Sequence, residues 1–146
     1  MTGGTANETG TMMHKCVDLY YYDMIPYSHY AFTDIFDIIA GVPYNPDPPE
    51  AETIQRPYYT MHSLGLGGDC DDKAIAIASW AKIVKCPDPN TGKSYRFLAV
   101  RSPNKTQLHH VYAEIFLDGE YIPADCTYSF NNPGIIRGPY AEYRII

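Results

Sequence analysis

A chain of 146 residues, 45% of them hydrophobic, carries enough apolar surface for one domain with one core and too little for two. Its net charge of −6, with no basic cluster, argues against nucleic acid or an anionic membrane surface as the main partner. No run approaches the roughly 18 apolar residues of a membrane-spanning helix, so no membrane role is expected.

Residues 1–13 are polar, rich in Gly and Thr, and lack the basic start and apolar run of a secretion signal. They read as a disordered leader, with 14–146 as a single domain. The tyrosine-rich stretch from His14 to Tyr30 has no clear period. Phe32, Ile35, Phe36, Ile38 and Ile39 then recur at near-helical spacing before Gly41 and Pro43, predicting a first helix. Five prolines between Pro43 and Pro57 predict an extended connection. It leads to Tyr58, Tyr59 and His62, in position to wall a cleft beside Cys70.

A glycine-rich turn from Leu64 to Asp69 runs into a helical pattern from Cys70 to Val84. That pattern is apolar around most of its circumference, which marks a buried central helix, and Pro87 and Pro89 end it. Alternation and composition predict strands from Tyr95 to Arg101, from Leu108 to Leu117 and from Glu120 to about Thr127. Asp118-Gly119 between the last two signals a type I′ hairpin turn, and residues 141–146 suit a final strand.

Cys70 therefore sits at a helix N-terminus, where unpaired N–H groups and the helix dipole favour a thiolate and can later hold an oxyanion. If Asp118 and Gly119 are the turn residues, paired positions across the hairpin sum to 237. Asp125 then lies opposite Tyr112 and diagonal to His110 on the same face, while His109 points to the other face. A bulge would reverse the assignment in favour of His109. A thiol, an imidazole and a carboxylate in this order suit acyl transfer: nucleophile, proton carrier, and a group that orients the ring.

Each residue also has an ordinary reading: a packed thiol, an exposed strand histidine, an aspartate serving a turn. Asp69, Asp71 and Asp72 could gather a hard cation, but helix capping accounts for acidic residues there. Charges aimed at the sulfur would oppose a thiolate, so Asp71 and Asp72 are expected to point elsewhere. Cys70, His110 and Asp125 are also compatible zinc-ligand types, though no further Cys or His spacing supports a metal site. No cofactor is implied. Cys16, Cys86 and Cys126 read as packing or bystander thiols, and the absence of C-x-x-C pairs or dense spacing suits a reducing, cytoplasmic setting.

Three blocks, Gly68-Asp69-Cys70-Asp71-Asp72-Lys73-Ala74, His110-Val111-Tyr112-Ala113-Glu114-Ile115 and Tyr121-Ile122-Pro123-Ala124-Asp125-Cys126-Thr127, resemble those of the transglutaminase-like superfamily of papain-related cysteine enzymes. The Gly-Asp-Cys-Asp-Asp form, preceded by Arg56 to Met61, is most similar to small bacterial and phage-encoded members. The resemblance implies an α+β fold with a papain/transglutaminase-like core, the cysteine helix packed on an antiparallel sheet. It also implies Cys70 as nucleophile, His110 as acid/base and Asp125 as orienting carboxylate. Tyr112 stands where many members have Trp, and Cys126 replaces a frequent Pro. The family's side-chain oxyanion donor has no clear match and stays open among Gln55, Tyr58, Tyr59 and His62. The expected activity is hydrolysis or transfer at an amide bond of a peptide or protein substrate through a Cys70 thioester. The alternative is a catalytically silent binding or phage-assembly module on the same scaffold.

Overall fold

The structure, a computed structural model, describes residues 5–46, 53–62 and 67–146. It is an α+β arrangement of helices α1 (Ala6–Tyr20), α2 (Phe32–Ala40), α3 (Pro57–His62) and α4 (Cys70–Val84) with strands β1 (Tyr95–Arg101), β2 (His110–Leu117), β3 (Glu120–Ala124) and β4 (Glu142–Ile145). The strands form one antiparallel sheet in the order β3-β2-β1-β4. Among the described residues no helix is long and apolar enough to cross a membrane.

The N-terminal segment departs from expectation. Residues 6–13 are the first half of α1 rather than a disordered leader. Thr5 caps the helix in a reciprocal box with Glu8, satisfying amides that would otherwise lack partners. Ala6, Gly10, Met13 and Val17 recur at helical spacing and are buried. Gly10 contributes by its missing side chain, since a Cβ there would stand 2.8 Å from the Ile146 Cβ. One turn later His14 Nε2 bonds the Ile146 carbonyl at 3.0 Å. A polar composition thus concealed a helix whose buried face is built from small residues. The ambiguous stretch that follows is a 3₁₀ segment, Tyr21–Tyr27.

Helix α2 forms where the apolar spacing placed it, burying Ile35, Phe36 and Ile39. Residues 47–52 of the proline-rich connection, and positions 63–66 of the glycine-rich turn, lie outside the described residues. Pro57, expected to end the extended connection, instead opens α3, a position proline tolerates because its missing N–H would have no helical partner.

Helix α4 is the axis of the molecule, with every residue from Cys70 to Ala81 buried. Its neighbours are α1, α2, α3 and the 3₁₀ segment, and it also lies on β1 and β2. Phe97, Val111, Ala113 and Ile115 point from the sheet into this core. Alternation sends Leu98, Val100 and Tyr112 to the opposite face, where Tyr140 covers them. The hairpin keeps the expected register: Leu117 pairs with Glu120 and Ala113 with Ala124. Asp118 and Gly119 have φ of 52° and 86°, the left-handed pair that a type I′ turn requires.

Candidate active site

The N-terminus of α4 is built by its acidic residues acting on one another's backbones. The Asp69 carboxylate accepts from the Asp71 and Asp72 amides at 3.1 and 3.3 Å. Asp72 returns to the Asp69 amide at 3.1 Å and also accepts from the Gln55 amide at 2.9 Å. Asp69 and Asp72 are thereby occupied with capping and with anchoring the segment before α3. Among the described residues no group of three or more His, Cys, Asp and Glu side chains is arranged to hold a metal ion.

Asp71 behaves differently from the expectation that it points away from the sulfur. It is wholly buried, and its Oδ1 accepts a hydrogen bond from the Cys70 thiol at 3.6 Å. The state of the thiol follows. Burial pushes the Cys70 pKa well above its ordinary value, the charges of Asp71 and Asp69 push it further, and the Val111 amide against the sulfur pulls the other way. The helix terminus alone would have lowered it. Desolvation and an adjacent carboxylate override the dipole, so the resting group is a neutral thiol donating to Asp71.

The histidine and aspartate stand as the register required. His110 Nε2 lies 2.8 Å from Asp125 Oδ2, and both side chains are buried. Asp125 Oδ1 accepts from the Thr127 amide at 3.2 Å, and Asn131 Nδ2 donates to the Asp125 carbonyl at 3.1 Å. His110 and Thr127 thus engage the two carboxylate oxygens, while Asn131 holds the main chain. His109 is excluded from this role, because its Nε2 accepts from the Ser102 amide at 3.1 Å.

Cys70 and His110 open onto one cavity of about 480 Å³, whose walls include Tyr44, His109, Tyr128 and Phe130. The sulfur approaches β2 beside the Val111 amide, whereas the His110 ring lies with Tyr112 on the other face of the strand. His110 is the first residue of β2, so both groups can reach the same opening at the strand's end. No Cys70–His110 hydrogen bond is formed: the thiol is engaged by Asp71 and the imidazole Nε2 by Asp125.

Three tyrosines surround the imidazole, with the rings of Tyr128, Tyr112 and Tyr140 centred 5.9, 6.1 and 6.3 Å from it. Tyr44, half exposed on the cavity wall, is tied to the glycine turn by a bridge to Gly68, and burial with the nearby acidic groups pushes its phenol up to about 12. An abundance of tyrosine was visible in the sequence, but nothing in its spacing marked these four. Lys73 was also missed. One turn into α4 it is almost fully buried, its ammonium donates to the Ala40 carbonyl at 3.3 Å, and burial lowers its pKa against the pull of Cys126 and Asp125.

The four candidate oxyanion donors lie elsewhere. Gln55 donates through Nε2 to Thr60 Oγ1 and to the Gly67 carbonyl, both at 3.0 Å, so its amide protons brace the chain before Cys70. Gln55 and Tyr59 line a separate cavity with Cys16 and Arg56. Tyr58 and Tyr59 are exposed, and the His62 ring lies 4.8 Å from that of Tyr58. None of the four lines the Cys70 cavity. All four cysteines are free; Cys16 and Cys126 are packed in the core as expected, and Cys86 is exposed.

Comparisons with protein-family models, with curated proteins and with solved structures find no match to this chain.

Proposed function

We propose that this protein is a cysteine-dependent enzyme that hydrolyses or transfers the acyl group of a peptide or protein amide through a thioester on Cys70. The observation that carries the reading is the buried 2.8 Å His110–Asp125 pair opening, with Cys70 at the start of α4, onto one cavity. The motif resemblance described above adds support, and with it a papain/transglutaminase-like core.

The reaction begins with a rotation of the Cys70 side chain from Asp71 toward the imidazole. Because Nε2 is committed to Asp125, Nδ1 is the nitrogen that takes the thiol proton. The sulfur attacks the amide carbon, a C–S bond forms, and the carbonyl oxygen becomes an oxyanion. The Cys70 amide is left outside the Asp69 cap, which uses the amides of Asp71 and Asp72, and it is the oxyanion donor in this scheme. Collapse breaks the C–N bond, and His110 returns its proton to the leaving amine. Water or a second amine then attacks the thioester and gives its proton to His110, the C–S bond breaks, and His110 returns that proton to the departing Cys70 sulfur.

The burial of Cys70 and its bond to Asp71 favour a second reading, a binding module that retains the scaffold without turnover. Labelling with iodoacetamide across pH separates the two, comparing the native chain with Cys70→Ala and His110→Ala. The enzyme reading expects label on Cys70 at a rate and pH profile that change when His110 is lost. A profile indifferent to His110 fits the binding module and overturns the enzyme.

A further inference from the structure

Arginines in this acidic chain are paired, with one exception. Arg56 holds Asp23 at 2.6 Å, Arg96 holds Glu114 at 2.7 Å, and Arg101 and Arg144 hold Glu142 at 3.2 Å each. Arg137, the fifth arginine, has no carboxylate at ion-pair distance among the described residues. Its Nε donates to Asn131 Oδ1 at 2.8 Å and its Nη2 to the Phe130 carbonyl at 3.3 Å, both neutral acceptors. The guanidinium also lies over the Phe130 ring, 4.9 Å from its centre. A guanidinium has five N–H donors, so three remain after these bonds.

Its location gives this surplus a use. Arg137 lines a recess of about 280 Å³ with Ser102, Asn104, His109, Tyr128 and Tyr140. His109 and Tyr128 also line the Cys70 cavity, so the two hollows share a wall. Because His109 Nε2 accepts from the Ser102 amide, the neutral ring carries its proton on Nδ1. Lys105, whose backbone N–H closes a turn by donating a hydrogen bond to the Ser102 carbonyl, adds positive charge felt at His109. The Cys70 side of the wall adjoins the acidic residues of the α4 cap; the recess side carries the Arg137 guanidinium.

We infer that the recess holding Arg137 beside His109 is a subsite for a carboxylate on the amine half of the substrate, such as the C-terminus of an amino acid or short peptide. This assignment rests on the acyl-transfer reading above and extends it to a substrate class. The acyl group lies over Cys70, the scissile amide spans the His109–Tyr128 wall, and the carboxylate meets the guanidinium. Asn131 links the subsite to the chemistry, since it accepts from Arg137 and donates to the carbonyl of Asp125.

The test uses full-length, isotopically labelled Cys70→Ala protein, so that binding is read without turnover. N-acetylglycine and N-acetylglycinamide, which differ in the carboxylate alone, are titrated by NMR, following the Arg137 Nε–H and the amides from Ser102 to His109. The expected result is about tenfold tighter binding of the acid, the effect of one charge-assisted bidentate contact. Arg137→Gln should remove that preference while the Trp80 indole signal stays in place, and Arg137→Lys should retain part of it. Equal affinities for acid and amide, no saturable shift with either, or a preference that survives Arg137→Gln would overturn the subsite. If Arg137→Gln fails to fold, the acid-to-amide comparison in the Arg137-containing protein still decides. Since Cys70 chemistry plays no part in this measurement, a failed subsite is distinguishable from a failed thioester mechanism.

Discussion

His110 Nε2 and Asp125 Oδ2 stand 2.8 Å apart at the end of a hairpin whose register leaves the ring no other carboxylate partner among the described residues. The pair selects one tautomer of the neutral ring, placing the proton on Nε2 and leaving Nδ1 as the acceptor that the proposed reaction uses. Asp125→Asn keeps the size of the side chain but offers an amide that can favour the opposite tautomer. Formation of an acyl adduct on Cys70, followed by mass spectrometry, should slow by about two to four orders of magnitude. An unchanged rate would remove Asp125 from the reaction.

Asp71 restrains the Cys70 thiol by accepting its hydrogen bond and by placing negative charge beside it. The Cys70 pKa is raised in the folded chain, by burial first and Asp71 second, so labelling of the native protein should climb only above the free-thiol range near 8.5. Asp71→Asn removes the second cause. It should move the labelling profile to lower pH and raise the rate at pH 8 by up to about tenfold. The sign for stability is equally definite. An unfolded thiol ionises near 8.5 while the folded one does not, so stability is full below that pH and falls as pH rises toward the folded value. Cys126, also pushed up by burial, and Cys16, pushed up to about 11, act in the same direction. Urea midpoints measured from pH 7 to pH 10 should therefore decline, and less steeply in Asp71→Asn.

Gly67 has φ of +67°, and a Cβ there would fall 1.8 Å from the Pro43 carbonyl oxygen. Neither the dihedral nor the contact tolerates a side chain. Gly67→Ala is expected to cost about 2 kcal/mol or more in urea denaturation. The adjoining Gly68–Tyr44 bridge should loosen with it, taking one wall of the Cys70 cavity out of place. A variant as stable as the parent would show that the segment relaxes without cost.

Local pattern carried much of this architecture. The unbroken apolar circumference of α4, the alternation in β1 and β2, and a two-residue turn of Asp and Gly are short-range signals. They led directly to the helix at Cys70 and to His110 facing Asp125. Helix α1 was hidden because its buried face uses Ala6, Thr9 and Gly10, small or polar residues, of which Gly10 lets Ile146 approach from the far end of the chain. Helix α3 was hidden because Pro57 reads as part of a proline run until its place at a helix start is known. The state of Cys70 was misjudged for a different reason: the dipole is a property of the local sequence, while burial and the Asp71 rotamer are set by packing. Tyr128, Tyr140 and Asn131 reach the site from a loop without periodicity, where spacing carries no information.

The single tryptophan of the chain lies ten residues along α4 from Cys70, about 15 Å at 1.5 Å per residue. Trp80 is 1% exposed, stacked on Phe32 at 5.8 Å, with its indole N–H donated to the Tyr27 carbonyl at 3.0 Å. Its emission should be that of an indole shielded from water, shifting to the red when the core opens. Substituents on the sulfur at the opposite tip of the rod should leave that colour untouched. The molecule thus carries an optical gauge of its own integrity, remote enough from the cleft that damage to the fold and damage to the chemistry can be told apart in the same cuvette.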